Sequence, residues 1–208
     1  MGLARYRAEI TQQKQAAILK AALAAFSEFG YDRTTIDYVA QQASVSTATL
    51  YKHFASKAAL FGGIMAQVWQ TDEISATPVP IALPPRAALM QLGQDYARLL
   101  NSPSIQPLFR VIIAEAPRFP ELGTELYYKG KEPFLKRLQV YLQAQVAAGN
   151  LAIADIALAT RQFLGMINDI IFWPRFLIMD LEIDEHEVEH VIVNAVETFL
   201  ARYGVSRE

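Results

Sequence analysis

The stretch Thr34–Phe54, TTIDYVAQQASVSTATLYKHF, carries the pattern that decides the fold. Hydroxyl residues at 34–35 and again at 46–47 are able to cap the N-termini of two successive short helices. The first helix is expected to end at Ala43 and the second at about Phe54. The stretch therefore predicts two short helices joined by a tight turn.

The two helices divide into an apolar seam and a polar outer face. Crossing helices need a small residue where their backbones approach, and Ala40 supplies it. The seam consists of Val39, Ala43, Val45 and Leu50. The outer face of the second helix carries Ser46, Thr47, Thr49, Tyr51, Lys52 and His53. Such side chains donate hydrogen bonds to bases or phosphates in the recognition helix of a helix-turn-helix. The alternative is two ordinary surface helices, because short amphipathic pairs are common.

The charge of the chain is distributed unevenly between its two ends. The 208 residues have a formal net charge of −2, but the first 57 carry seven Lys or Arg against four Asp or Glu. The remainder carries twelve against seventeen. Binding of DNA through one end requires a basic head of this kind, and the small excess supports that interpretation.

The rest of the chain is also predicted to be helical. Apolar residues recur at helical spacing, and no convincing strand alternation is visible. A first helix is expected over about 11–29, and a fourth from Ser56 past Trp69. Further helices are expected at about 86–100, 104–116, 119–148 with a break near Gly130 or Pro133, 155–180 with a bend at Pro174, and 184–203, after a proline loop at 78–85. The predicted fold class is all-α.

The first quarter of the chain matches a family pattern without gaps. The matching residues are Phe26, Gly30, Tyr31, Thr34-Thr35-Ile36, Val39-Ala40, Ala43, Val45-Ser46, Leu50-Tyr51, Phe54, Lys57 and Leu60. On these residues the chain resembles the tetracycline-repressor (TetR) family of transcriptional regulators. Ser44 departs from the pattern, because the family usually has glycine in the turn. If Ser44 adopts a left-handed conformation, it costs on the order of 1 kcal/mol relative to glycine.

The resemblance implies a three-helix DNA-binding domain over 1–56 and a larger helical domain for ligand binding and dimerisation over 57–208. It implies phosphate contacts for Thr35, Tyr51, His53 and Lys57, and base or backbone contacts for Ser46, Thr47, Thr49 and Lys52. Lys57 is alternatively an ordinary solvated residue near a helix N-terminus. More weakly, the stretch Val111–Leu122 is similar to the C-terminal domains of an AefR-like subset.

The same resemblance implies the partners of the protein. These are a near-palindromic double-stranded DNA operator, a second copy of the chain, and a small ligand. The homodimer would form through the last two long helices, near 155–180 and 184–203. Most members of the family repress transcription and release DNA when ligand binds. An activator, or a regulator without a ligand, is the alternative.

Candidate ligand residues come from the aromatic and aliphatic content of the C-terminal domain. They are Trp69, Tyr96, Phe109, Tyr127, Phe134, Phe163 and Met166, with Asn168 and Asp169 as the polar groups that a pocket needs. Such a set would suit an apolar or aromatic ligand. A helical domain also needs most of these residues as core, and Asn168 and Asp169 are equally suited to hydrogen bonds within the helix interface.

The stretch His186–His190, HEVEH, matches the H-E-x-x-H pattern of metalloproteases. At about 100° per residue, the apolar residues of this helix gather on one side and the two histidines point roughly the other way. An exposed pair lacks a third fixed ligand, although Asp184 could complete a site. A metal-dependent hydrolase is therefore the rival class, and neither catalysis nor a metal or other cofactor is expected.

Composition bounds the location of the protein. The chain contains no cysteine, which excludes disulfides and thiolate metal sites and fits a reducing cytoplasm. No signal-peptide core follows the N-terminus, and the apolar stretches are interrupted before they reach membrane-spanning length. We therefore expect a soluble cytoplasmic protein without a membrane partner.

Overall fold

The computed structural model describes residues 2–70 and 81–205 of the chain. Within these residues the regular elements are helices, besides an isolated antiparallel bridge between Leu151 and Gly204. The helices are α1 (Gly2–Arg33), α2 (Ile36–Gln42), α3 (Thr47–His53), α4 (Lys57–Gln70), α5 (Pro85–Leu100), α6 (Ile105–Glu115), α7 (Pro120–Glu125), a π-helical turn (Leu126–Lys131), α8 (Glu132–Ala147), α9 (Ile156–Ile171), α10 (Trp173–Leu177) and α11 (Glu185–Tyr203). The predicted all-α class is confirmed. None of the described helices has the combined length and apolarity that a membrane crossing needs.

The first helix is longer than predicted and is interrupted near its end. It begins at Gly2 rather than near residue 11, because the intervening residues contain no helix breaker. Gly30 has a φ of 80° and a ψ of 166°, which glycine adopts without steric cost, so the continuous helix ends where the sequence predicts. The Thr34 hydroxyl donates to the carbonyls of Gly30 (2.8 Å) and Ala25 (3.1 Å) and holds the chain beside this break.

Side-chain caps begin several helices at the predicted positions. Thr35, Ser46, Asp155 and Asp184 each accept a hydrogen bond from the backbone N–H three residues further on, at 2.7–3.2 Å. Ser56 does the same before α4, at 3.0 Å. A capping oxygen satisfies an N–H group that the first helical turn leaves without a partner, so these local signals set the helix starts.

Two predicted breaks in the C-terminal half are present. The π-helical turn Leu126–Lys131 interrupts the segment that the sequence predicts to break near Gly130 or Pro133. Pro174 lies in the first turn of α10, because proline lacks the N–H that a helix interior needs. Residues 78–80 of the predicted proline loop at 78–85 lie outside the described residues, and α5 begins at its last residue, Pro85.

The chain divides into two compact units. The first contains the described residues up to Gln70 together with Gln106–Gly130, and the second contains the described parts of Asp72–Ile105 and Lys131–Glu208. In the first unit α1 packs on α2 and α4, and α4 packs on α7. In the second, α9 packs against α5, α8, α10 and α11. The expected functional boundary between residues 56 and 57 is a different division, and it stays a prediction.

Each unit has its own apolar core. In the first, the rings of Phe26, Tyr31 and Phe61 lie with centroids 5.3–5.9 Å apart. In the second, Phe163 of α9 packs on Phe199 of α11 at 5.6 Å. The first core includes residues of α1, α2, α3 and α4 as well as of α6 and α7, and it therefore supports the stretch that decides the fold.

Candidate nucleic-acid interface

The turn between α2 and α3 is closed by backbone hydrogen bonds. Ala43 ends α2, and the N–H groups of Ser44 and Val45 donate to the carbonyls of Gln41 and Ala40, both at 3.0 Å. Because the cap of α3 follows at once, only two residues connect the end of one helix to the cap of the next. The predicted pair of short helices joined by a tight turn is confirmed.

Ser44, in the turn between α2 and α3, adopts a left-handed conformation. Its φ is 54°, and among the described residues it is the only one other than glycine with a positive φ. In this conformation the Cβ atom crowds the following carbonyl group, a contact that glycine does not make. The turn is therefore formed at a cost in conformational energy.

Replacement of this residue is expected to stabilise the fold. Ser44→Gly removes the crowding and should raise the free energy of unfolding by about 1 kcal/mol, reduced somewhat by the greater freedom of glycine in the unfolded chain. Ser27→Gly, at an exposed helical position of α1, is the matched control and should lower it by about 0.5 kcal/mol. Urea denaturation measures both, and a decrease at position 44 equal to that at position 27 would contradict the argument.

One buried residue, Leu50, sets the orientation of α3 and leaves its outer face exposed. Leu50 is fully buried, whereas Tyr51 is 51% exposed and Lys52 is also exposed. His53 is half-buried, and its ring lies 6.4 Å from that of Phe54. Within the described part of the chain, Tyr51 and Lys52 have no hydrogen-bond or ion-pair partner. These two side chains are therefore the most available to an external group.

The predicted contact hydroxyls are partly engaged within the protein. Thr35 and Ser46 accept capping hydrogen bonds, which leaves their hydroxyl hydrogens for other acceptors. The Ser46 and Thr49 hydroxyl oxygens lie 2.8 Å apart, so this pair keeps one hydrogen for an outside partner. Thr47, in contrast, donates its hydrogen to Asp37 at 2.8 Å. The geometry thus favours Thr35, Ser46 and Thr49 over Thr47 as donors to DNA.

Lys57 is anchored to the end of α1. Its Nζ donates to the Asp32 carbonyl at 3.0 Å and lies 4.6 Å from the centroid of the Tyr31 ring. Burial lowers the pKa of Lys57, and the nearby carboxylates of Asp32 and Glu115 oppose that shift. An ammonium group has three donors, so these contacts hold the charge in place and leave part of it for a phosphate.

Sequence reasoning missed the contacts between residues 115–119 and the end of α1. Arg118 forms an ion pair with Asp32 at 3.0 Å, and the ring of Phe119 packs on that of Tyr31 at 5.0 Å. The partners are far apart in the sequence, so no local signal joins them. A part of the predicted ligand-binding domain therefore packs directly on the DNA-binding helices.

Three predicted ligand residues meet in the second unit. The rings of Tyr96 and Phe134 lie 5.2 Å apart, and the Tyr96 hydroxyl donates to Asn168 Oδ1 at 3.4 Å. Burial raises the pKa of Tyr96 far above its ordinary value, so its hydroxyl stays a neutral donor. Asp169, the next residue after Asn168, is exposed.

The other predicted ligand residues are dispersed. Phe163 is fully buried in the core of the second unit. Met166 and Asp169 line a groove of about 450 Å³ between α9 and α11. The remaining three are Phe109 and Tyr127, which belong to the first unit, and Trp69, whose side chain lies outside the described residues. Their roles in ligand binding stay predictions.

The H-E-x-x-H stretch lies on an exposed helix face. His186 and His190 of α11 are both exposed, and Asn194 Nδ2 donates to the His190 carbonyl at 2.8 Å. In the described part of the chain, no group of three or more His, Asp or Glu residues is placed to hold a metal ion. The two histidines of the pattern are thus exposed, as the sequence predicts.

The capped pair of short helices, packed through the buried Val39, Ala40 and Leu50 and with an exposed polar face on the second helix, defines the class as a helix-turn-helix DNA-binding protein. Residues 18–64 match the model for bacterial regulatory proteins of the tetR family. Residues 87–205, more than half of the chain, match the C-terminal domain of AefR-like transcriptional repressors. The chain belongs to the TetR family of transcriptional regulators.

Individual relatives agree with this assignment. The structure of the flavonoid-responsive regulator FrrA is 28% identical, with 94% of this chain and 100% of that chain covered and a TM-score of 0.77. A TetR family regulator from Pseudomonas syringae pv. tomato is 26% identical, with coverage of 93% and 98% and a TM-score of 0.74. The A-factor receptor protein of Streptomyces griseus is 33% identical over 88 residues, which are 42% of this chain and 30% of that protein.

Proposed function

We propose that this regulator is a homodimeric repressor that binds a near-palindromic operator and releases it when a small apolar or aromatic ligand binds. The observation that carries the proposal is the exposed face of α3, where Tyr51 and Lys52 are available to DNA. A helix with this face fits the major groove, and two copies related by twofold symmetry read two matching half-sites.

The contacts with DNA divide into two kinds. Thr35, Tyr51, His53 and Lys57 contact phosphates and position the protein on the duplex. Ser46, Thr49 and Lys52 reach base edges or the neighbouring backbone, and Thr47 takes part only if it leaves Asp37. The domain of residues 1–56 would make most of these DNA contacts, and residues 57–208 would bind the ligand and form the dimer.

The surface of α9 and α10 supports the dimer. Exposed large apolar side chains gather on these helices and just after them, at Leu158, Ile170, Trp173, Leu177, Ile178 and Met179. An apolar surface of this kind is typical of a protein–protein interface, because water disfavours its exposure. Operator binding through two half-sites requires the same dimer.

The segment 106–130 supports a route from ligand to DNA. It packs on the DNA-binding helices through Arg118 and Phe119, and it is joined by the chain to α5 before it and to α8 after it. A ligand that displaces α5 or α8 would therefore act on the end of α1. The ligand has to favour a dimer whose recognition helices no longer match the half-site spacing.

The names of two relatives support a small organic ligand. FrrA is described as flavonoid-responsive, and the Streptomyces griseus protein as a receptor for A-factor. The aromatic pair Tyr96 and Phe134, with ring centroids 5.2 Å apart, would offer apolar contacts to such a molecule.

Selection of bound sequences from random duplex DNA tests the proposal. The purified protein should enrich a near-palindrome whose half-site centres lie about one helical turn apart or a multiple of it. A reporter gene behind that sequence should then be silenced by the protein. If no sequence is enriched, the proposed DNA function is contradicted. If the protein activates the reporter, repression is contradicted while DNA binding stands.

A further inference from the structure

A buried guanidinium in the second unit is only partly satisfied. The Arg137 side chain on α8 is 7% exposed, and its Nη2 donates to Asp95 Oδ2 of α5 at 2.9 Å. Its Nε and Nη1 are also buried, and neither has a hydrogen-bond partner among the described residues. Buried donors are nearly always paired, and a buried charged donor is the most costly to leave unpaired. These two nitrogens therefore require acceptors from outside the described protein.

An aromatic pair lies beside this group. The Phe134 ring centroid lies 5.9 Å from Arg137 Cζ, and the Tyr96 ring lies 5.2 Å from that of Phe134. The Tyr96 hydroxyl reaches Asn168 only at 3.4 Å, a long hydrogen bond that a better acceptor would replace. Apolar side chains beside a few unsatisfied polar groups are typical of a small-molecule site.

The charges at this place favour an anion. Arg98 also approaches Asp95, at 3.5 Å, so two guanidinium groups share that carboxylate. A negative oxygen near Arg137 would gain more than a neutral one, because buried charges interact strongly.

We propose that Arg137 binds the regulatory ligand of this protein by donating to an anionic oxygen, a carboxylate or a phenolate, on a small aromatic molecule. Phe134 and Tyr96 contact the aromatic part of that molecule. The proposal rests on the proposed ligand response and specifies the chemistry of the ligand.

Titration calorimetry with the full-length protein tests the proposal. The probes are 2-naphthoate and 2,4-dinitro-1-naphtholate, which are both anions at neutral pH, each beside the neutral analogue 2-naphthalenemethanol. At least one anion should bind more tightly than the alcohol, and Arg137→Lys should weaken its binding about tenfold or more. This substitution keeps a cation for Asp95 and removes both unpaired donors. Arg86→Lys, at an exposed ion pair with Glu197 on α5 and α11, is the matched control and should bind as the parent does.

A second variant controls for misfolding of Arg137→Lys. Asp95→Leu/Arg137→Met replaces the buried ion pair by apolar side chains, which buried pairs often tolerate, and it should lose anion binding to the same extent. Binding of neither anion to the parent protein, or equal binding to parent and Arg137→Lys, would overturn the proposal. A crystal structure at saturating anion in which only ordered water contacts Nε and Nη1 of Arg137 would also overturn the proposal.

Operator binding in the same samples separates this inference from the proposed function. If neutral apolar compounds alone release the operator, the ligand response stands and the role of Arg137 fails. If no palindromic DNA is bound, the proposed function fails, while the calorimetry still reports on Arg137.

Discussion

Gly165→Glu is expected to convert the dimer into monomers. Gly165 lies within α9 and is exposed, and a Cβ atom there would meet no other heavy atom within 4 Å. A glycine in a helix interior costs about 1 kcal/mol relative to alanine, a cost that close approach of a partner helix would explain. Leu158 and Asp169 lie on the same exposed side of α9, which makes this side the proposed interface.

The expected effect is large because the substitution occurs twice in a symmetric interface. Each copy buries an unpaired carboxylate at a cost of about 3 kcal/mol or more, which is about 6 kcal/mol for the dimer, so the dimer dissociation constant should rise at least about ten-thousandfold. Operator affinity should fall with it. The isolated fold should be slightly more stable, because glutamate is a better helix former than glycine.

Sedimentation equilibrium measures the association, and urea denaturation measures the fold. Gly123→Glu is the matched control, because a Cβ at this helical glycine of the first unit also meets nothing within 4 Å. The control should remain dimeric. A dimer of unchanged affinity in Gly165→Glu would show that this side of α9 faces solvent.

Lys52→Ala is expected to weaken operator binding about a hundredfold at physiological salt. The substitution removes one phosphate interaction at each of the two half-sites, and about 1.4 kcal/mol for each accounts for this size. The slope of log affinity against log salt should fall in magnitude by about 2, one unit for each half-site. Lys136→Ala removes the same charge from α8, where the side chain pairs with Glu132, and should leave both quantities unchanged.

The role of Lys52 can be read from the pattern of the weakening. If affinity falls equally for all duplexes, the lysine contacts phosphate. If the selected consensus changes at one position while the salt slope is kept, it contacts a base edge. Unchanged affinity and slope would remove α3 from the DNA interface and contradict the proposed function.

The DNA-binding stretch was predictable because its signals are local. The caps Thr35 and Ser46 act on N–H groups three residues away, and Ser44 lies in the short turn between the two helices. The predicted helix starts near 155 and 184 agree with the caps that Asp155 and Asp184 form. The predicted start of α1 was wrong, because a capping residue marks a helix start only where the residues before it do not continue the helix.

The ligand residues could be only partly predicted. Aromatic content identified Tyr96 and Phe134, but it did not separate residues that meet from residues that lie in different units, such as Phe109 and Tyr127. The sequence did not distinguish Asn168 from Asp169 as the polar group of a pocket. They lie about 100° apart on α9, so Asn168 meets Tyr96 while Asp169 is exposed.

The sequence by itself determined the all-α class, the helix-turn-helix and the family, since helical periodicity, capping and turn residues act within a few positions of the chain. Only the tertiary structure decided which distant side chains meet. Arg137 of α8 pairs with Asp95 of α5, and Arg118, in the turn before α7, pairs with Asp32 of α1, although the partners are far apart in the sequence. Such pairs depend on how helices pack. The sequence around an arginine does not indicate whether its side chain is buried or solvated in the folded protein.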